Sequence, residues 1–165
     1  MYPGSFNPPT VAHIAIAAAA REQRSLERVV LVLSRSPINK EHVDRPLFEH
    51  RVDVLRAEAA RHRWLDVEIT EARLLVDIAC GYDVLVMGAD KWAQVIDPTW
   101  YGGSAVARDA AVARLPRVLV APRAGERPGG VELLDLPDHL ADVSATAVRD
   151  GAPHAAGWAL PEAEG

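Results

Sequence analysis

Three short apolar runs govern how this chain can fold. Arg28 to Ser34 (RVVLVLS), Asp83 to Gly88 (DVLVMG) and Arg117 to Ala121 (RVLVA) are β-branched, bounded by polar residues and too short for helices. Such runs read as strands buried on both faces, which occur in parallel sheets covered by helices on each side. Helical spacing fills the intervals. Residues 11–24 carry Val11, Ile14, Ala15 and Ala18 at one-face spacing, and Phe48, Val52, Leu55 and Ala59 repeat the pattern. Leu65 to Ile69 reads as a further short strand, Ala72 to Cys80 as a short helix and Ala105 to Leu115 as a longer one. Residues 35–46 form a loop with two prolines, and residues 89–102 a loop or broken helix. Gly125 to Gly130 is a surface turn, Val131 to Leu136 an edge strand, and Gly157 to Gly165 an irregular tail. Strand–helix alternation of this kind predicts an α/β sandwich around a parallel sheet. At 165 residues, without repeats or a low-complexity linker, residues 1–165 are read as one domain.

Composition narrows the function. Apolar residues make up 49% and charged residues 25%, the balance of a soluble globular chain. No apolar run reaches membrane-spanning length and the start lacks the pattern of a signal peptide. A net charge of −5 argues against a general nucleic-acid binder. Cys80 is the sole cysteine, so no internal disulfide or cysteine zinc cluster can form; its apolar helical context predicts a buried, inert thiol. A reducing cytoplasm fits. The charge does not oppose a homo-oligomer.

The most informative stretch is Gly4 to His13, GSFNPPTVAH. Gly4 permits a tight turn, Pro8 and Pro9 keep the chain extended, and Thr10 reads as the N-cap of the helix that follows. His13 then falls in the first turn, where free amides and the helix dipole favour an anion. A hydroxyl, an imidazole and several amides at one helix start suit a polyphosphate. A capped helix with a locally packed histidine would show the same residues.

GSFNPPTVAH resembles the first signature of the nucleotidyltransferase superfamily that carries [H/T]-x-G-H after G-x-F-x-P. Val143 to Gly151, VSATAVRDG, resembles its second, I-S-S-T-x-x-R. Two motifs in the right order are far more specific than either alone. The resemblance implies a Rossmann-like three-layer sandwich with strand order 3-2-1-4-5. It also implies transfer of a nucleotidyl group from a nucleoside triphosphate, with release of pyrophosphate and no covalent intermediate. Mg2+ is carried by the ATP, no protein metal site is expected, and the partners are ATP and a small phosphorylated acceptor. In the superfamily an apolar strand feeds G-x-F, but only Met1 and Tyr2 precede the turn here. The first strand is therefore expected to be truncated, as a stub or because the recorded start lies downstream of the true one.

Residue by residue, the first motif implies that Gly4, Ser5 and Phe6 line the nucleotide and that His13 contacts the α-phosphate. Thr10 stands where the family places His or Thr, and Ala12 replaces the usual Gly. In the second motif Ser144, Thr146 and Arg149 match the triphosphate-binding residues, while Ala145 replaces a Ser. Lys40 follows the second strand, where relatives place a cation near the triphosphate. Arg45 and Arg51 are weaker candidates, and Arg51 can be read simply as a surface residue of its helix. MGADKWAQVIDPTWY, residues 87–101, resembles the G-x-D…W stretch of nicotinate and nicotinamide mononucleotide adenylyltransferases. Gly88 and Asp90 would then contact adenosine, and Trp100, with Trp92, would bind the acceptor's pyridine ring by stacking. Core or interface packing is the competing reading of both tryptophans.

The scaffold is mixed. The S-Y-T motif of nicotinate-specific relatives is absent, and residues 71–86 resemble pantetheine-phosphate adenylyltransferases, whose arginine pair after the fourth strand is replaced by Ala89 and Asp90. Three readings therefore stay open at this point: adenylylation of nicotinate or nicotinamide mononucleotide, adenylylation of phosphopantetheine, or a degenerate member that binds nucleotide without turnover.

Overall fold

The structure is a computed structural model that describes residues 1–35, 45–123, 126–141, 143 and 145–161. Its strands form two parallel ladders. In the first, β2 (Val29–Ser34) pairs with β1 (Tyr2–Pro3) on one side and β3 (Leu65–Thr70) on the other. In the second, β5 (Arg117–Ala121) lies between β4 (Val84–Gly88) and the two-residue edge strand β6 (Glu132–Leu133). Met1 joins them: its nitrogen donates to Val84 O at 2.7 Å and its carbonyl accepts from Val86 N at 2.9 Å. The resulting order, β3-β2-β1-β4-β5, is the one the superfamily resemblance implies, with a two-residue first strand.

Alternation along the strands sorts their side chains to opposite faces of the sheet. Leu31, Leu33, Val86 and Leu119 pack with Ala17 and Ala20 of α1 (Val11–Arg24) and with Phe48, Val52 and Leu55 of α2 (Arg45–Ala59). Val30, Val32, Leu85, Met87 and Val120 pack against α4 (Ala89–Ile96) through Ala89, Trp92 and Val95. α3 (Leu75–Ile78) and α5 (Ala105–Val112) contribute Leu75, Ile78 and Val112 to that second layer. Hence three layers. The alanines of α1 have no accessible surface at positions 17 and 20, so small side chains let that helix lie close on the sheet.

Several boundaries differ from expectation. The helix read over 72–80 shrinks to α3, and Cys80 is exposed rather than buried because it falls in the turn after α3 instead of on a helix face. The segment 89–102 is a broken helix: α4 ends at Ile96, Asp97 Oδ1 accepts from Thr99 N at 2.9 Å, and Pro98–Tyr101 forms a 3-10 turn. The tail is not wholly irregular. Val11 N donates to Trp158 O at 2.9 Å and Leu160 N to Pro9 O at 3.0 Å, so residues 158–160 run antiparallel beside the start of α1. Among the described residues, no helix is long and apolar enough to cross a membrane.

Candidate active site

The carboxyl ends of β1, β2, β4 and β5 meet the start of α1, the place where an open α/β sheet holds ligands. Gly4 leaves β1 with its N–H donating to Val32 O at 3.1 Å. Its role differs from the turn-forming one expected. A Cβ at position 4 would sit 2.9 Å from Cζ of Phe6, so glycine is required by the close approach of that ring. Phe6 is buried and adopts φ 43°, a region disfavoured for a bulky residue and held here by its packing. Ser5 lies half-buried between them. The Phe6 ring meets Tyr2 edge-on at 5.5 Å and the His13 imidazole edge-on at 5.0 Å, backing the histidine with aromatic surface.

Thr10 is extended, 1% exposed and caps α1. Its backbone N–H donates to His13 Nδ1 at 2.9 Å, and its hydroxyl lies 2.9 Å from the same nitrogen. An N–H can only donate, so Nδ1 is an acceptor and the neutral ring carries its proton on Nε2. Burial, with a smaller push from the Arg123 charge, brings the His13 pKa down to about 4. The site thus presents a neutral imidazole with a fixed tautomer whose proton is carried as the Nε2–H donor.

The two signature motifs meet. Arg149, in α7 (Ala145–Arg149), donates from Nη1 to Asn7 O at 3.0 Å, across 142 positions of sequence. Gly88 ends β4 in extended backbone, with open space where a Cβ would stand. Asp90, in the first turn of α4, accepts from Arg123 Nη1 at 3.0 Å. Arg123, which the sequence reading did not single out, joins the candidate site through this pair. The available signal was its position two residues past the end of β5, at the same sheet edge as the other carboxyl-end residues.

The tryptophans separate. Trp92 is buried in the α4 layer, its Nε1 without a hydrogen-bond partner, as the core-packing reading expects. Trp100, in the 3-10 turn, is 55% exposed. Arg51 is 5% exposed, against the expectation of a surface residue. Lys40 and Ser144 lie outside the described residues, as does the side chain of Thr146 on α7; Arg45 opens α2. Among the described residues, no three His, Cys, Asp or Glu side chains group as a metal site.

The cytidylyltransferase-like family profile matches residues 1–151. The chain belongs to that family. Within it, the chain is 26% identical over 156 residues to a probable nicotinate-nucleotide adenylyltransferase of Salinibacter ruber, covering 87% of this chain and 74% of that protein. Two solved structures of Plasmodium falciparum nicotinic acid mononucleotide adenylyltransferase share the cytidylyltransferase-like fold. The complex with NaAD superposes with a TM-score of 0.60 and the complex with APC with 0.62. Each is 12% identical and covers 90% of this chain and 80% of the other.

Proposed function

We propose that this protein is an adenylyltransferase that transfers AMP from MgATP to nicotinate or nicotinamide mononucleotide, forming the dinucleotide and pyrophosphate. The observation that carries this reading is the closure of the second motif on the first, Arg149 on Asn7, beside a capped helix start that holds His13. The Salinibacter relative's name and the exposed Trp100 favour a pyridine nucleotide as acceptor.

In this reading an oxygen of the acceptor phosphate attacks the α-phosphorus of ATP. The bond from that phosphorus to the β-phosphate bridging oxygen breaks, and pyrophosphate leaves. No enzyme nucleophile is needed; the protein positions the groups and stabilises charge. His13 Nε2–H donates to an α-phosphate oxygen, and Thr10 keeps that donor in place through Nδ1. Arg149 takes the β- and γ-phosphates, and the match of Ser144 and Thr146 to the second motif, and of Lys40 to the family's cation after the second strand, supports triphosphate binding by those residues as well. Gly4, Ser5 and Phe6 line the nucleotide, and Gly88 leaves its path clear. Asp90 faces the adenosine side while paired with Arg123, which adds a cation to this edge. Mg2+ arrives with the triphosphate, and Trp100 stacks on the pyridine ring. A cytoplasmic setting and a homo-oligomer are both compatible with this role.

Pyrophosphate release with MgATP, measured against nicotinate mononucleotide, nicotinamide mononucleotide and phosphopantetheine, tests the reading. Release with a pyridine mononucleotide is expected. Release with phosphopantetheine alone reassigns the acceptor. Silence with all three, while ATP still binds, overturns catalysis on these substrates in favour of a nucleotide-binding member without this turnover.

A further inference from the structure

Thr10 and Arg51 are the two polar residues that the described part of the fold buries almost completely. Thr10 is spent on His13; Arg51 is not accounted for. It projects from α2, and its Nε and Nη1 have no hydrogen-bond partner. Its guanidinium carbon lies 5.6 Å from the centroid of the Phe48 ring. On the same ring, at 5.0 Å, lies Arg35, the residue that follows β2. The two differ in compensation. Arg35 is paired with Glu49 at 2.7 Å and Glu71 at 3.6 Å, whereas no carboxylate among the described residues neutralises Arg51. A guanidinium stays charged at any physiological pH, so this burial costs free energy until an anion supplies the missing bonds. Burial alone lowers the Arg51 pKa, with no neighbouring carboxylate opposing the shift.

Position decides what that anion is. Arg35 N donates to Thr70 O at 2.9 Å, extending the β2–β3 ladder to its carboxyl end, and Gly4 N docks on Val32 of the same β2. Phe48, and Arg51 one helical turn beyond it, therefore stand at the sheet edge that carries the first motif.

We propose that Arg51 is a phosphate-binding residue of this site, whose two unpartnered groups, at Nε and Nη1, donate to oxygens of a substrate phosphate group. Two sources share that chemistry, the triphosphate and the acceptor monophosphate. The assignment rests on the proposed function only in that phosphates come to this edge, and it uses nothing of segment 36–44. Probes without nucleobase or pyridine ring keep the two separate: inorganic pyrophosphate for the triphosphate, ribose 5-phosphate for the acceptor.

The experiment is a titration of the unmutated protein, following the Arg51 Nε–H resonance in nitrogen-15 NMR, assigned by its loss in Arg51→Lys. Thermal melts of Arg51→Met run alongside. A shift of the Arg51 signal with pyrophosphate, and a loss of about 10-fold or more in pyrophosphate affinity in Arg51→Met, is expected for the triphosphate source; charge-assisted hydrogen bonds are of that strength. The same pair of changes with ribose 5-phosphate assigns the acceptor phosphate. Arg51→Met without ligand should melt no lower than the wild type, because it removes an uncompensated buried charge. A resonance indifferent to both probes overturns the proposal, as does an Arg51→Met protein that melts several degrees lower yet keeps wild-type affinity for both. If Arg51→Met does not fold, the wild-type resonance decides alone. Absence of adenylyl transfer with an Arg51 signal that responds to phosphate would reject the function and keep the site.

Discussion

The two ends of the candidate site are built differently. At the His13 end, Gly4 is pressed on Phe6, Phe6 backs the imidazole, and Thr10 holds Nδ1 from two atoms. At the other end Trp100 stands more than half exposed on a 3-10 turn held by Asp97 and by the Tyr101 hydroxyl, which donates to Val95 O at 2.9 Å. A group that must stabilise a transition state gains from being fixed before substrate arrives, whereas a group that stacks on an acceptor needs an accessible face. On the proposed function, this contrast corresponds to catalysis at the closed end and acceptor selection at the open one.

The largest break in that contrast is His13→Ala. Turnover should fall about 10²-fold or more, the usual cost of losing one preorganised donor, and steady-state kinetics would read it in kcat. A near-normal rate would remove His13 from the chemistry. Gly4→Ala comes next, and it acts on the fold. Its methyl would collide with the Phe6 ring, and overpacking at such a contact costs about 1–3 kcal/mol, measurable as a lower urea midpoint at unchanged m. At the open end, Trp100→Ala should raise KM for the acceptor about 10-fold or less while leaving KM for ATP and the melting temperature near wild type. An equal loss in both KM values would mean that the two ends are not separate.

A further effect is one of pH. The folded His13 pKa, about 4, lies below the ordinary histidine value, so between roughly pH 6.5 and 4 the unfolded chain binds the extra proton. The stability that neutral His13 contributes is complete above that window and declines as pH falls through it. Urea midpoints at pH 7 and pH 5 should therefore separate more for the wild type than for His13→Gln. Equal separation would show that the closed end does not hold the ring neutral.

The sequence made the sheet legible because strands buried on both faces leave unbroken apolar runs, and β2, β4 and β5 fall within a residue of their expected bounds. The first motif was legible too, since an N-cap followed by helical spacing places His13 in the first turn. Arg123 was not, and Arg51 stood only as a weak candidate that could equally be read as a surface residue. Each is a single arginine in an arginine-rich chain, and only three-dimensional packing distinguishes one at a sheet edge, or one buried on the face of its own helix, from a solvated charge. The pairing of residues 158–160 with the start of α1 was hidden for another reason: it involves main-chain atoms, which carry no pattern of residue types. Cys80 shows the opposite error, a periodicity trusted past the end of α3.

The contact between Gly4 and Phe6 also bears on how such a site can change over generations. Any side chain at position 4 demands a smaller one at position 6, and a smaller one at position 6 strips the support from His13. Neither position can drift alone. A change at one position is expected to need a matching change at the other, so the spacing G-x-F records one atom lying against a ring.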